Sequence, residues 1–327
     1  AGDLFEVANP RDQLVKDTAK ILQSHSKVPI HVIPGNHDLY GDGGVWKKPA
    51  ITNIKHLIIH SDYSPIELDG FILHPLPVKS KHELTPYNDY LEDVNADDRI
   101  HVVMAHAHDT SYMDIEKISN HEVETKLKID TGIVQNKGYD FCILGHWHSW
   151  TEVQTNALYP GTHEQTKFGE RDAGYVAIID IEKGKKPKIM KHKSGQLTWE
   201  KIEIDVTGHS EDEIINTIRE KMEQETTFLS VDLVGDCDVK FAADSIPRIR
   251  ESCEPMFKHF ELHSERTEIS IDLDSMMKSY PLPPLLNDIQ GEILLQLSNN
   301  PGDAGLMAEL IEFWRHLRNS GLIGDDV

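Results

Sequence analysis

The sequence predicts a layered α/β sandwich, followed by a small α+β domain and a helical tail. In the first part, apolar runs that fit strands alternate with helical stretches and then give way to hairpin strands. Near residue 203 a new alternation of helices and strands begins, and a proline-rich segment at 280–284 precedes two amphipathic stretches. A chain of 327 residues is long enough for two domains. We therefore expect domains at 1–202 and 203–273, with a linker and tail at 274–327.

The first domain is predicted to open with a helix. Asn9 and Pro10 fit the N-cap and the first position of a helix that extends to about Ser24. The spacing predicts that Leu14, Ile21 and Leu22 lie on its inner face. Apolar runs that predict strands follow the helix, at 29–33, 57–59, 71–73, 102–105 and 141–144, with a hairpin at 175–181 and 188–190.

The second domain and the tail are predicted from helix signals. Ser210 and Glu213 fit a capping box at the start of a helix, and a strand pair is expected around 231–234 and 239–241. A second helix begins near Ile246 and should bend or end at Pro255. Two amphipathic tail helices are expected at 285–297 and 305–322. Their apolar faces fit either an intramolecular helix pair or a docking surface, and we expect docking to a partner.

Composition excludes some classes of protein. The net charge of −22, from 33 basic and 55 acidic residues, argues against a stand-alone nucleic-acid binder, which usually carries a basic stripe. It is compatible with an enzyme whose bound cations supply the positive field. No apolar run approaches the ~18 residues of a membrane span, and the start of the sequence does not fit a signal peptide. With Cys142, Cys237 and Cys253 interpreted as reduced core residues, the expected location is the cytoplasm, with no membrane partner.

Polar side chains stand where several apolar runs stop. In α/β sheets, ligands gather at the carboxyl ends of strands, so these residues are expected to converge on one crevice. The candidates are Asp3, Asn36, His37, Asp38, His106, His146 and His148. Histidine, aspartate and asparagine together form a mixed nitrogen and oxygen ligand set that suits Mn, Fe or Zn better than Ca or Mg.

Each of these signals has a structural alternative. Pro-Gly-Asn is common turn chemistry, so Asn36 alone could mark a turn. His146 and His148 face the same side of an extended backbone and could be surface histidines. His106 could be a core residue, and His108 two positions later leaves the choice of ligand open. The ordered occurrence of all the motifs together favours a metal site.

That order resembles the calcineurin-like metallophosphoesterases, and within them most of all the SbcD-type nucleases. The motifs that carry the resemblance are Gly2-Asp3-Leu4-Phe5-Glu6, Gly35-Asn36-His37-Asp38, His106 and Gly145-His146-Trp147-His148. Pro160-Gly161-Thr162 and Phe168-Gly169-Glu170 are similar to a segment of the same subfamily. The resemblance implies a four-layer αββα sandwich with a DNA-facing cap.

The resemblance also implies roles for the matched residues. Asp3 would bridge two metal ions, and Asn36, His106 and His146 would complete the second metal site. His148 would bind the first metal. His37 would act as a non-ligand acid that protonates the leaving oxygen, and Asp38 would orient it.

The implied function is metal-dependent hydrolysis of DNA. A pair of Mn²⁺ ions, or Fe or Zn in their place, would activate water and stabilise the oxygens exchanged at phosphorus. The implied partners are DNA and an SbcC-like ATPase in double-strand-break repair, and a homodimer is compatible with the resemblance. Two rivals stay open: a phosphatase or cyclic-nucleotide phosphodiesterase of the same superfamily, and a catalytically dead module that binds DNA or a partner.

The sequence departs from the family pattern at its start. The family opens with an Asp-x-His motif that supplies the remaining two ligands of the first metal, and no segment here fits it. We therefore expect a fragment that lacks the first strand and helix and whose nuclease activity is impaired. Two smaller features also have two interpretations. The lysine-rich run at 183–193 fits a solvated hairpin tip or a phosphate contact, and Trp147 fits core packing or stacking on a base.

Overall fold

The computed structural model describes residues 1–24, 27–80, 85–111, 127–220, 224–270, 284–299 and 303–319. The α-helices are Asp12–Ser24 (α1), Pro49–Thr52 (α2), Thr131–Asn136 (α3), Glu211–Glu220 (α4), Ile246–Cys253 (α5), Pro284–Asn299 (α6) and Ala304–Asn319 (α7). The strands are Ile30–Val32 (β1), Leu57–Ile59 (β2), Ile66–Leu68 (β3), Phe71–Leu76 (β4), Ile100–His106 (β5), His108–Asp109 (β6), Lys128–Ile129 (β7), Phe141–Gly145 (β8), Thr151–Gln154 (β9), Ala157–Tyr159 (β10), Tyr175–Asp180 (β11), Lys188–Lys193 (β12), Thr198–Asp205 (β13), Thr227–Asp238 (β14) and His259–Ser270 (β15).

The chain divides into two compact units. The first comprises residues 1–166 and 170–196, and the second comprises 167–169 and 197–327. The main division at 196 and 197 lies a few residues before the boundary predicted at 202 and 203. The tail, which the sequence sets apart from residue 274 onward, groups with the second unit.

The first unit is built on a six-stranded sheet. Its strand order is β3-β4-β5-β8-β10-β9, with β4, β5, β8 and β10 parallel and a strand antiparallel to its neighbour at each edge. A parallel pair β1–β2 and an antiparallel hairpin β11–β12 accompany it. The predicted strands of the first part are therefore present, and the α/β fold class is confirmed.

The central strands of this sheet are buried on both faces. Val103 and Leu144 belong to one apolar cluster, whereas Val102 and Met104 belong to another. Successive strand residues point to opposite faces, so two clusters on alternating residues mean that both faces are covered. Cys142 is buried in the first cluster, and burial raises the pKa of its thiol.

Helix α1 ends at Ser24 as predicted, but it begins at Asp12 rather than at Pro10 and presents a different face. Val15 and Ala19 are its buried residues, and Leu22 packs against the same cluster as predicted. Leu14 and Ile21, also expected on the inner face, are 54% and 65% exposed. Apolar residues lie on two sides of this helix, so periodicity alone did not specify which side packs. The side with the small Ala19 allows the closer approach.

The second unit contains a three-stranded sheet in which β13, β14 and β15 are all parallel. The predicted capping box is confirmed, since the Ser210 amide donates to Glu213 Oε2 at 2.7 Å. Helix α5 ends at Cys253, and Pro255 lies in the 3₁₀ turn that follows. The strand pair predicted around 231–234 and 239–241 is wrong. A single long strand is present instead, and the Asp238 carboxylate accepts the Phe241 amide at 2.6 Å where helical turns begin.

The two tail helices pack within the second unit. Leu294 and Leu297 of α6 and Leu310 of α7 share a buried apolar cluster with Val239. The expectation that the tail keeps these apolar faces for a partner is corrected, because the side chains meet each other and the second unit's own core. The predicted linker at 280–284 lies, up to residue 283, outside the described residues. Among the described helices, none combines the length and apolar character needed to cross a membrane.

Candidate metal centre

Two histidines are placed side by side by neighbouring parallel strands. Strand β5 ends at His106, which pairs in register with Gly145 at the end of β8. His146 therefore begins the segment that leaves the sheet directly beside His106. His106 Nε2 and His146 Nδ1 lie 3.1 Å apart.

Two oxygen donors complete the cluster. Asp3 Oδ2 lies 3.0 Å from His106 Nε2, and Asn36 Oδ1 lies 2.8 Å from the same nitrogen and 3.2 Å from His146 Nδ1. The possible ligand atoms of Asp3, His106 and His146 all lie within 4.8 Å of one another. Two imidazole nitrogens, a carboxylate and an amide oxygen form a set that fits Mn, Fe or Zn.

Glycines let the ligand-bearing segments approach so closely. A Cβ atom on Gly35 would lie 2.1 Å from Asp3 Oδ1 and 2.5 Å from the Asp3 nitrogen. A Cβ atom on Gly2 would lie 2.2 Å from His106 Nδ1, and Gly2 has a φ of +80°. A side chain at either position would push the oxygen donor away from the histidines, which is the physical reason for glycine there.

The backbone is strained at two of the candidate ligands. Asp3 has a φ of +54° and His146 a φ of +100°, in a region that residues other than glycine rarely adopt. Such conformations cost ~1–3 kcal/mol and persist only where the surrounding contacts impose them. At His146 these contacts include both ring nitrogens, since Nε2 lies 2.7 Å from His108 Nε2.

The electrostatics suit a cation. Burial opposes ionisation of Asp3, but its hydrogen bond to His106 and the His37 amide hold the pKa of its carboxyl below the usual value. Burial, followed by the neighbouring His106 and His108, lowers the pKa of His146 to about 3. At neutral pH the cluster therefore offers a carboxylate and an uncharged imidazole, which are the ligand forms of both groups.

Asp38 supports the loops rather than the ring of His37. Its carboxylate is buried and accepts hydrogen bonds from the amides of residues 3–5 and Gly35, at 2.7 to 3.3 Å. The ring of His37 instead places Nδ1 3.0 Å from the carbonyl oxygen of Glu6. The prediction that Asp38 orients the imidazole is therefore corrected: its described contacts join two loops. Burial raises the pKa of Asp38.

His148 lies apart from the cluster. Its Nδ1 is 2.5 Å from Glu170 Oε1, and its side chain is 45% exposed. Within the described part of the chain, the structure does not place it in the group formed by Asp3, His106 and His146. Its predicted role as a ligand of the first metal stays a prediction.

Comparison with known proteins identifies the domain that carries this cluster. Residues 1–150 match the sequence profile of the calcineurin-like phosphoesterases. This part of the chain is therefore similar to the calcineurin-like phosphoesterases. The match includes every candidate ligand, because the last of them is His148.

Two curated relatives bear names that describe the SbcD component of the SbcCD nuclease. The protein from Staphylococcus epidermidis is 26% identical over 211 residues, which cover 56% of this chain and 54% of the relative. The protein from Staphylococcus saprophyticus is 23% identical over 214 residues, covering 57% and 55%. The chain thus spans about half the length of the relatives it matches.

The cluster opens into a cavity of about 440 Å³. Asp3, His106, His146 and His148 all line it, so the cluster and the separate histidine face the same space. A cavity of this size matches the usual range for small-ligand sites.

Two residues of the site were not predicted as ligands or catalytic groups from the sequence. His108 contacts His146, and the Trp147 indole donates to His108 Nδ1 at 3.0 Å. The Trp147 ring stacks on Tyr159, with centroids 5.1 Å apart. Packing is therefore the observed role of Trp147. The spacing His-x-His at 106–108 was the signal for His108, but its contact with His146 depends on tertiary structure.

Proposed function

We propose that this chain is a nuclease component that hydrolyses phosphodiester bonds of DNA with bound divalent cations, Mn²⁺ foremost. The observation that carries the proposal is the convergence of Asp3, Asn36, His106 and His146 within one phosphoesterase domain. The names of the two relatives support a nuclease rather than another phosphoesterase. We extend the proposal to an SbcC-like ATPase as partner and to double-strand-break repair.

The residues divide between two cation sites. Asp3, Asn36, His106 and His146 would hold one cation, and Asp3 with His148 would contribute to the other. When bound, such cations lower the pKa of a water molecule and stabilise the attacking and leaving oxygens of an in-line displacement.

His37 would provide the proton for the leaving oxygen. Its Nδ1 is engaged by the Glu6 carbonyl oxygen, so Nε2 is the atom that would hold the proton. Its amide donates to Asp3 Oδ1 at 2.9 Å, which ties the position of the acid to that of Asp3. Asp38 would keep both in place by holding the loops that carry them.

The charge of the chain supports cation dependence. With a net charge of −22, the protein as a whole repels DNA, so attraction must be local. The lysine-rich hairpin offers less free charge than its sequence indicates. Lys183 pairs with Asp140 at 3.0 Å, and Lys191 pairs with Asp172 at 2.5 Å. Bound cations at the site would then supply most of the field that draws in a phosphate.

A substrate comparison in the presence of Mn²⁺ tests the proposal. The full chain would be incubated with a DNA duplex, bis-p-nitrophenyl phosphate, p-nitrophenyl phosphate and a cyclic nucleotide. We expect slow cleavage of DNA and of the diester, because no segment of the sequence fits the Asp-x-His motif of the first cation site. Both activities should be lost with EDTA and in His146→Ala. Preferential hydrolysis of the monoester or the cyclic nucleotide would favour the rival phosphatase or phosphodiesterase. No hydrolysis of any substrate would favour the binding module.

A further inference from the structure

Glu170 is a buried carboxylate directed at a single imidazole. Its side chain is 3% exposed, and its Oε1 lies 2.5 Å from His148 Nδ1. The Thr166 amide donates to Oε2 at 2.8 Å, and the Thr166 hydroxyl donates to Oε1 at 3.0 Å. The carboxylate is thus held in place by one residue and contacts His148 with an oxygen fixed by that support.

This contact determines which nitrogen of His148 carries the proton. Oε2 of Glu170 accepts the Thr166 amide and Oε1 accepts the Thr166 hydroxyl, so both carboxylate oxygens act as acceptors. An ionised carboxylate can only accept, so the hydrogen lies on His148 Nδ1. Nε2 then carries the lone pair, and the half-exposed ring of His148 lines the cavity of the phosphoesterase site.

We propose that Glu170 is a positioning residue that fixes the Nδ1–H tautomer of His148 and so presents Nε2 as a donor atom to a divalent cation. Histidines that bind metals usually donate their other ring hydrogen to a carboxylate or carbonyl, which sets both the tautomer and the ring orientation. The inference rests on the proposed function, since it takes His148 as a ligand of the first cation. It assigns a role to the Phe168-Gly169-Glu170 segment.

A purely structural role for Glu170 is the competing explanation, and Glu164 provides the matched control. The Glu164 carboxylate accepts the amides of Gln165 and Gln196 at 3.3 and 2.9 Å. It lies six positions before Glu170, so Glu164→Ala removes a loop-holding carboxylate with the same change in net charge. An effect caused by loop disorder should appear in both variants.

The first readout is the tautomer of His148, measured by nitrogen-15 NMR of histidine-labelled protein at a pH where the imidazole is neutral. The His148→Ala variant assigns the signal. We expect Nδ1–H in the wild type and in Glu164→Ala, and a shift toward Nε2–H in Glu170→Ala. Glu170→Gln keeps an acceptor oxygen of nearly the same shape and should retain most of the Nδ1–H form. An unchanged tautomer in Glu170→Ala would overturn the proposal.

The second readout is Mn²⁺ affinity, measured by electron paramagnetic resonance titration. We expect Glu170→Ala to weaken, by about 10–100-fold, the Mn²⁺ site that His148→Ala removes. The double variant should bind no more weakly than His148→Ala, because both changes act through one side chain. Additive losses, or an unchanged Mn²⁺ affinity in Glu170→Ala, would overturn the proposal.

Neither readout depends on hydrolysis. If the tautomer and affinity results hold while the chain cleaves no DNA, the proposed nuclease function fails and the role of Glu170 stands. If DNA is cleaved while Glu170→Ala leaves tautomer and affinity unchanged, the nuclease stands and this inference fails.

Discussion

Strand β5 contributes one histidine to each of two pairs of contacting histidines in the first unit. His101 near the start of the strand places Nδ1 2.9 Å from His74 Nε2 on β4. His106 at its end places Nε2 3.1 Å from His146 Nδ1 beyond β8. By distance alone, either pair could hold a metal ion.

The surroundings separate the two pairs. His106 and His146 meet Asp3 and Asn36 oxygens, line a cavity and include a residue with positive φ. His74 and His101 are buried, and the ring centroid of Tyr139 lies 4.9 Å from that of His74. Contact between histidines therefore says little about metal binding. Access and imposed backbone strain distinguish a site from a buried pair, whereas a nearby carboxylate does not, since Asp97 Oδ2 lies 3.2 Å from His101 Nε2.

The strongest test replaces one histidine at each end of β5. We expect His106→Ala to lower Mn²⁺ affinity by at least about 100-fold, since loss of a ligand should exceed the loss of a supporting contact. His101→Ala should leave the Mn²⁺ affinity within about a factor of two of the wild-type value, because His101 belongs to the buried pair with His74. Isothermal titration of both variants measures the difference. Equal losses of Mn²⁺ affinity in the two variants would contradict the assignment of only one pair to a metal site.

A change at His37 tests which residues near the cluster of Asp3, His106 and His146 bind metal and which act as acids. As a proton donor that is not a ligand, His37→Ala should lower the rate of DNA hydrolysis by about 10²–10⁴-fold. Its metal content, measured by elemental analysis, should match that of the wild type. If His37→Ala loses as much metal as His146→Ala, His37 is a ligand and its assignment as an acid is wrong.

The close approach of Gly35 to Asp3 can be tested by substituting two glycines of one loop. We expect Gly35→Ala to destabilise the chain by about 1–3 kcal/mol, because the new methyl group meets Asp3. Gly41→Ala is the control, since a Cβ atom there has no neighbour within 4 Å. Denaturant unfolding measures both. Equal stability of the two variants would contradict the tight approach at Gly35.

The buried pair of His74 and His101 should affect how the free energy of unfolding depends on pH. Burial, and then the charge of His101, lowers the pKa of His74 from 6.5 to about 4. Between these values the unfolded chain binds more protons, so the free energy of unfolding falls as pH drops from about 6.5 to 4. The contribution of His74 is at most about 1.4 kcal/mol per pH unit.

His74→Gln should flatten that slope relative to the wild type, as measured by urea unfolding of the metal-free protein across this pH range. Because other histidines also titrate there, the informative quantity is the difference between the two slopes. Identical slopes would show that His74 titrates normally in the folded chain.

Sequence patterns predicted the strands of the first unit and the convergence of the four candidate ligands Asp3, Asn36, His106 and His146. That success has a physical basis: apolar runs specify strands buried on both faces, and parallel neighbours bring their carboxyl ends together. The patterns did not predict that Asp38 joins two loops or that His108 contacts His146. Both depend on contacts between segments distant in sequence, which local periodicity does not encode.

The misassigned elements have a similar cause. Helix α1 carries apolar residues on two sides, so its spacing did not decide between Leu14 and Val15. Strands were predicted at 231–234 and 239–241, whereas strand β14 extends to Asp238 and helical turns follow it. Gly235 lies inside strand β14 with a φ of +90°. A glycine within a strand pattern is compatible with an irregular strand as well as with a turn.

The parallel sheet of the second unit has a consequence for synthesis on the ribosome. Each of its strands pairs with a partner about 30 positions away, as in Trp199 opposite Phe228 and Phe228 opposite His259. No two strands can form a local hairpin while the chain emerges, and the central strand β14 gains its second neighbour only when β15 has left the exit tunnel. The apolar residues of this sheet therefore remain exposed until residue 270 is available, which makes this segment of the nascent chain dependent on protection from aggregation.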